Sequence, residues 1–459
     1  MSNVEPAYFQ DQKNTIRRPK LLFLAHPFPP LRGIACVRTW NMAKYLARLG
    51  WDVTVVTPLP TVWRNIENAG ELSILLEKEG IQRILTEQRY RFLDPNSLNC
   101  SNRGLARVLG GVCRRIAAWL QVEYSAIGWI KPAESACGFL TPNDVDVILA
   151  TGSPFCSFGL AKRLAARLGR PYVLDYRDPW TDHPHASFRP RTKLIREEKQ
   201  LLAGCAAGTV VSPSWAESLD RRFDIGHKLH VVTNGYDAEE LATVTPHAFD
   251  HFAIVYTGAF YSTKRLITPV MAALKRIKGG TKEDGKEWYF HYYGGDEEHV
   301  RNEASKFGVQ EKVVMHGNVS RTEALSAVRG ANVAVVITSV FAEDTEKDRG
   351  IVPGKLFEPL GLGTPILLIA PPGSDATQIV EETGMGRGFV GTDIEGIVRF
   401  LSNSAETESN KRSTCTDRYS WPVLAARLDR ILRGVIAPRQ GDVLTKSQSS
   451  IGHKKQVLA

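Results

Sequence analysis

The sequence has no C-x-x-C pair, and its seven cysteines (Cys36, Cys100, Cys113, Cys137, Cys156, Cys205 and Cys415) are odd in number and widely spaced. That excludes a disulfide framework and a structural zinc ribbon. A metal site is equally hard to build, because His183-Pro184-His185 has no third ligand in sight, so no metal is expected. Neither half of the chain carries G-x-G-x-x-G between its first strand and first helix, and neither carries G-x-x-x-x-G-K-[ST]. This argues against a dinucleotide-dependent dehydrogenase and a P-loop kinase. Long hydrophobic runs are also missing, since the longest, such as Val333 to Ala342, fall well short of the roughly 18 residues that span a bilayer. The polar start, Met1 to Lys20, has no apolar leader-like core. The resulting expectation is a cytoplasmic protein.

What is present is ordinary in bulk and uneven in detail. Hydrophobic content of 43% and charged content of 23% are those of a globular protein, and 459 residues exceed one ordinary core, so two large domains are expected. The formal charge of +9 is concentrated in two places. From Lys411 to Ala459 there are ten Lys/Arg against three Asp, and between Ser101 and Lys131 Arg103, Arg107, Arg114, Arg115 and Lys131 face Glu123 alone. Such patches suit nucleic acid, an anionic membrane or phosphorylated ligands, without choosing among them.

Alternation of apolar runs and helical patterns organises the chain. Lys20 to Ala25 reads as a strand, residues 26–33 as a loop, Val37 to Leu49 as a helix and Asp52 to Thr57 as a second strand, the unit of a parallel sheet. The pattern recurs at Asp146 to Ala150, Phe158 to Leu168 and Tyr172 to Asp175, with further strands at Gly208 to Ser212 and His230 to Thr233. Ala238 to Asp250 lacks periodicity and reads as a linker. Beyond it come strands at Phe252 to Thr257, Trp288 to Tyr293, Lys312 to His316 and Val333 to Ile337, with helices at Thr268 to Lys278, Asp296 to Phe307 and Arg321 to Arg329 between them. The expected layout is a disordered N-terminus (1–18), an α/β domain (19–240), a second α/β domain (250–415), a helix near 419–434 packing back on the first domain, and a disordered basic tail (435–459). With two parallel sheets in series, the natural site is the cleft between them, beyond the carboxyl ends of the strands.

One stretch is the best candidate for that site. Pro353 and Gly354 lead from a loop into a helix start, Lys355 and Glu358 are three apart, and Gly363-Thr364-Pro365 turn into the next strand. A cation at such a helix start can meet phosphate, and a carboxylate can accept hydroxyl hydrogen bonds from a ribose. The same residues also fit a capped surface helix with an i,i+3 ion pair.

In their order, these motifs resemble bacterial glycosyltransferase family 4. They are Phe28-Pro29-Pro30 with Gly33, Ala43-Lys44-Tyr45-Leu46 with Gly50-Trp51, Asp175-Tyr176-Arg177-Asp178-Pro179-Trp180, Val211-Ser212-Pro213-Ser214, Thr233-Asn234-Gly235, Tyr256-Thr257-Gly258, His316-Gly317-Asn318-Val319 and the segment from Pro353 to Glu358. The resemblance spans about residues 19–434. It implies an α/β GT-B fold, two Rossmann-like parallel-sheet domains facing across a cleft, and a retaining, metal-independent transfer of a hexose-like sugar from a nucleoside diphosphate donor, UDP by default. No cofactor beyond the donor is implied. Carried onto this sequence, it places Lys264 on the donor diphosphate, with a second cation from Arg265, Lys355 or Arg32 or none, Glu358 on the ribose hydroxyls, Gly354 at the donor-binding turn, Gly317, Asn318 and Val319 beside the nucleobase, and Gly33 where the first loop approaches the donor. Arg177 and Asp178 fall at the reacting end. The chain departs from the family at Ala259, where arginine is common, at Gly350, where glutamate is common, and at Arg177, where histidine is common. Arginine cannot act as a base near neutral pH, and Arg177-Asp178 also fits a structural ion pair capping a strand.

The implied acceptor is an alcohol in surface polysaccharide or glycolipid assembly, and a lipid-linked glycan suits a second feature. Leu105, Val108, Leu109, Val112, Ile116, Trp119 and Leu120 share one helical face opposite Arg103, Arg107 and Arg114. This stripe reads either as a surface that docks the protein on anionic lipid at the inner face of the membrane, or as a helix burying one side in its own domain. No nucleic-acid partner is expected. Two other functions share the fold: a nucleotide-sugar epimerase, which needs no acceptor, and a non-catalytic basic scaffold.

Overall fold

The computed structural model describes residues 17–31, 33–59, 69–90, 128–184, 190–260, 264–277, 287–341, 346–403 and 414–436, with isolated positions between 111 and 123. Thirteen strands form two wholly parallel sheets. The first holds β1 (Lys20–Leu24), β2 (Asp52–Pro58), β3 (Gln82–Thr86), β4 (Val147–Gly152), β5 (Tyr172–Tyr176), β6 (Ala207–Val210) and β7 (Leu229–Val231), in the order β3-β2-β1-β4-β5-β6-β7. The second holds β8 (Phe252–Thr257), β9 (Trp288–Tyr293), β10 (Val313–Gly317), β11 (Val333–Ile337), β12 (Ile366–Ile369) and β13 (Gly386–Phe389), in the order β10-β9-β8-β11-β12-β13.

The order of strands along each sheet reverses at one point, between β1 and β4 in the first and between β8 and β11 in the second. Loops leaving the two strands at such a point diverge and open a crevice. Both sheets are buried on their two faces, which is why their strands read as apolar runs. Phe23, Val55 and Leu149 pack on one side of the first sheet, and Leu22, Ile148 and Leu174 on the other.

The polypeptide crosses between the halves twice. Residues 232–250 run across as a connection that contains a five-residue helix, Ala238–Ala242, in a stretch expected to be irregular. Asp237 caps it by accepting from the Glu239 N–H and ties it to the first domain through Lys44 and Tyr45, each at 2.8 Å. The chain returns through Tyr419 to helix Trp421–Gly434, whose Trp421, Leu424, Ala425, Leu428 and Leu432 join the core of the first domain. Trp51 donates its indole N–H to Asp429 at 2.7 Å, closing that return.

Arg17 and Arg18, expected in the disordered N-terminus, belong to the folded part. Arg17 pairs with Asp146 at 3.0 Å and Arg18 donates to the Trp51 carbonyl at 2.9 Å. Val435 and Ile436 pack against the first domain. Residues 1–16, most of the Arg103 to Lys131 stripe and the tail from 437 lie outside the described residues.

Candidate active site at the interdomain cleft

The second sheet places its site residues at the switch between β8 and β11. Gly258 ends β8 with φ of +109°, and the Nζ of Lys355 lies 1.2 Å from where a Cβ would stand, so only glycine admits it. Lys355 donates to the Thr257 carbonyl at 2.8 Å. The side chain is exposed along the cleft, but the walls around its ammonium desolvate it and lower its pKa to about 8, against the pull of Glu358. Position 259 is Ala259, and Lys355 brings a cation to the neighbouring glycine.

The Pro353 to Glu358 segment is a turn of 3-10 helix, Gly354–Leu356, followed by a six-residue helix, Phe357–Leu362. Gly363, left-handed at φ of +80°, ends it after six residues, so it is too short to supply the strong positive end expected of a longer helix. A side chain at Gly354 would strike Ile34 Cδ1 at 2.2 Å, which places this turn directly against the first helix of the other domain, Ile34–Arg48. Lys355 and Glu358 do not form the i,i+3 pair that their spacing allows. Instead Glu358 accepts a hydrogen bond from Arg321 at 2.6 Å.

Lys264 is also engaged, donating to both oxygens of Asp348 at 3.0 and 2.8 Å. The lysine is 27% exposed and the aspartate 4%, so the cation reaches solvent while its counter-ion is buried. Arg265, Lys355, Glu358, Thr257 and Pro353 line a pocket open to solvent. Gly317 leaves β10 with φ of +67°, letting the chain turn sharply beside Glu297, and the Asn318 amide packs against Gly295. Val319 lies half-buried on the core that includes Tyr293 and Val328.

A chain of aromatic nitrogens runs up to this loop. Asp250 meets His251 at 2.6 Å, His251 meets His291 at 2.8 Å and His291 meets His316 at 3.0 Å, with His316 stacked on Tyr293. Burial, reinforced by the neighbouring histidines, lowers the His291 pKa to about 4. Among the described residues no group of His, Cys, Asp and Glu is arranged to hold a metal ion.

On the opposite wall, Gly33 begins the first helix at φ of +131° with open space around it. Arg177 follows β5 and donates to the carbonyls of Gly152 and Ser153 rather than standing free in the cleft. Burial pushes its pKa down and adjacent Asp178 pushes it back up. Beneath them Arg38 and Asp175 form a fully buried pair at 2.6 Å, and the aspartate also accepts from Thr151 at 2.8 Å and Thr209 at 2.7 Å.

Gly350 has a mechanical explanation. A Cβ there would lie 2.2 Å from Trp215 of the first domain, whose indole N–H donates to the Lys347 carbonyl at 3.0 Å. The tryptophan occupies the space that the family's glutamate would need. Lys347 also pairs with Asp182 at 2.5 Å, and Ser214 donates to Asp375 from its N–H at 3.0 Å and its hydroxyl at 2.8 Å, so the two domains are clasped on this side.

The structure thus gathers Arg265, Lys355 and Glu358 at one opening, with Lys264 and Gly354 beside them in the chain, Gly317, Asn318 and Val319 on the β10 turn, and Gly33, Arg177 and Asp178 on the first domain. Arg38, Arg321, Asp348 and Glu240 do not stand out from the sequence, whereas Asp175 does as the start of a quoted motif. The Ser320-x-x-Glu323 spacing, where Ser320 accepts from the Glu323 N–H, is a local signal that could have marked the helix that Arg321 begins.

Residues 35–235 match the model of the glycosyl transferase 4-like domain. No curated protein matches in sequence. Among solved structures, the chain is similar to a sucrose-phosphate synthase from Thermosynechococcus elongatus, at 15% identity and a TM-score of 0.61 over 91% of this chain and 99% of that one. It is also similar to a glycosyltransferase from Rickettsia africae, at 14% identity and 0.57 over 92% and 100%. The third is Anabaena HepE in complex with UDP and glucose, at 13% identity and 0.56 over 91% and 100%. The chain therefore has the GT-B fold, with a glycosyl transferase 4-like domain as its first half.

Proposed function

We propose that this protein is a retaining glycosyltransferase that moves a hexose-like sugar from a nucleoside diphosphate donor, UDP by preference, to an acceptor alcohol in surface polysaccharide or glycolipid assembly. The observation that carries the reading is the convergence of Arg265 and Lys355 with the carboxylate of Glu358 around one pocket at the switch point of the second sheet, with Lys264 next to Arg265 in the chain and paired to Asp348. Three cations suit a leaving diphosphate whose charge grows as the glycosidic bond breaks, and fixed charges of this kind stabilise it without a metal. HepE, which has the same fold, was solved with UDP and glucose, which supports the choice of nucleotide. Asp178, half-buried just beyond β5, is the residue assigned to the transferred sugar or the acceptor in this reading. Asp178→Asn should therefore lower kcat far more than donor affinity; loss of thermal stability with kcat intact would assign it to strand capping instead.

A peripheral membrane contact fits a second observation. Val112, Ile116 and Trp119, three members of the apolar stripe, are 47%, 50% and 63% exposed. A stripe buried in its own domain would hide them. Insertion into the boundary of an anionic bilayer would remove that apolar surface from water, with nearby arginines meeting the head groups. Trp119→Asp should reduce flotation with phosphatidylglycerol vesicles, and unchanged flotation would retire this contact. For the reaction itself, a thermal-shift screen of nucleotides and nucleotide sugars is the first test, because a donor that binds the folded state raises Tm by mass action. No shift with any nucleoside diphosphate would overturn the reading.

A further inference from the structure

We propose that Arg321 is the positioning residue of the donor site: it holds Glu358 in the orientation that reads the ribose hydroxyls and fastens that carboxylate to the interdomain connection. The proposal rests on the reading of Glu358 as the ribose ligand and adds what sets its geometry. Arg321 is the first residue of helix Arg321–Gly330, two positions after Val319, and Ser320 fixes the turn between them by accepting from the Glu323 N–H. One guanidinium serves two carboxylates. Its Nε and Nη2 grip Glu240 at 2.6 and 3.0 Å, and its Nη1 reaches Glu358 Oε1 at 2.6 Å.

The division is unequal. Glu240 has both oxygens engaged in a fork, a geometry that fixes the plane of the guanidinium. Glu358 gives Arg321 one oxygen and is itself part of the cavity lining, which leaves it acceptor capacity toward the opening. One positive charge between two negative ones leaves a net negative charge at this triad. The charge suits hydroxyl donors and repels phosphate, so the triad marks the ribose end of the ligand while Lys264, Arg265 and Lys355 mark the phosphate end. Burial works against the charge of Arg321, and Glu358 with Glu240 outweighs it, so the guanidinium stays ionised.

Glu240 is the reason the arrangement extends beyond the site. It lies on the short helix Ala238–Ala242, which Asp237 and Glu239 anchor to Lys44 of the first domain at 2.8 and 2.9 Å. The carboxylate that reads the donor is thereby tied, through Arg321, to the segment that joins the two domains. A side chain acting this way changes affinity without touching the nucleotide.

Calorimetric titration with UDP and with 2′,3′-dideoxy-UDP separates this role from others. The wild type should bind UDP about tenfold or more better than the dideoxy analogue, as expected when a charged acceptor loses its donors. Arg321→Ala should weaken UDP by about that factor, leave dideoxy-UDP unchanged, and so abolish discrimination between them; Arg321→Lys should restore part of it and provides a milder variant should alanine compromise folding. Arg321→Ala added to Glu358→Ala should do nothing more to UDP affinity. Equal weakening of both ligands by Arg321→Ala, or undiminished discrimination in both Arg321 variants, would overturn the positioning role. If the wild type itself binds the two ligands equally, the ribose reading of Glu358 falls first and this assignment falls with it.

Discussion

Arg38 and Asp175 in the first domain are 1% and 0% exposed, whereas Arg321 and Glu358 at the cleft are 35% and 14% exposed, although both pairs close at 2.6 Å. The buried pair is saturated. Arg38 also donates to the carbonyls of Val232 and Thr233, while Thr151 and Thr209 donate to Asp175. Burial alone would raise the carboxyl of Asp175, and Arg38 with the two threonines reverses the sign, holding it below the usual range. Nothing is left over for a ligand. At the cleft, the same chemistry leaves one carboxylate with spare acceptor capacity beside an opening. Polar pairing therefore does not mark a site in this molecule; incomplete saturation beside a cavity does.

The largest effect that could break this comparison is on stability. Asp175→Ala leaves a guanidinium buried without its counter-ion and should cost about 3–5 kcal/mol, read from denaturant midpoints. Arg321→Ala, at a partly solvated pair, should cost less than about 1.5 kcal/mol by the same measurement. Equal losses would erase the distinction between scaffold and site.

A second prediction sharpens what the cleft excludes. Gly350→Glu restores the residue common in the family but drives it into Trp215, so it should destabilise by about 1–3 kcal/mol. In a Trp215→Ala background the same substitution should be tolerated far better. Additive losses would show that the tryptophan is not what occupies that space.

Acidification should expose a smaller difference that both domains share. His26 and His291 are each held at a pKa of about 4 against an ordinary 6.5, chiefly by burial. Between those values the unfolded chain binds more protons than the folded one, so stability rises with pH from about 4 to 6.5 and is lost as pH falls through that window. Melting curves at pH 7 and pH 5 should show a lower Tm at pH 5, and no change between them would contradict the two buried neutral imidazoles.

How much of this was legible in the sequence depended on range. Phe252–Thr257, Trp288–Tyr293 and Val333–Ile337 are strands over the expected residues, because a parallel strand covered on both faces must be an apolar run. β3 escaped notice, since Gln82–Thr86 lies at the sheet edge with only Thr86 buried and so carries little pattern. Helix Ala238–Ala242 is too short to show a period and is held instead by its Asp237 cap and by Lys44 and Arg321. Lys264 and Glu358 were visible as motif positions, but Asp348 pairs with Lys264 across 84 residues and Arg321 with Glu358 across 37, and pairings over such distances leave no local signal.

The central claim is that the cleft of the second domain binds a nucleoside diphosphate end to end, with Lys264 at the phosphates and Glu358 at the ribose. Calorimetric titration of Lys264→Ala and Glu358→Ala with UDP and with UMP tests it most directly, because UMP keeps the ribose and shortens the phosphate chain. Removing a charged hydrogen-bonding group should cost about 1.5–3 kcal/mol, roughly ten- to a hundredfold in affinity. Glu358→Ala should weaken UDP and UMP alike by that order, whereas Lys264→Ala should weaken UDP by that order and UMP distinctly less. Equal losses for Lys264→Ala on both ligands, or no loss for Glu358→Ala on either, would contradict the account.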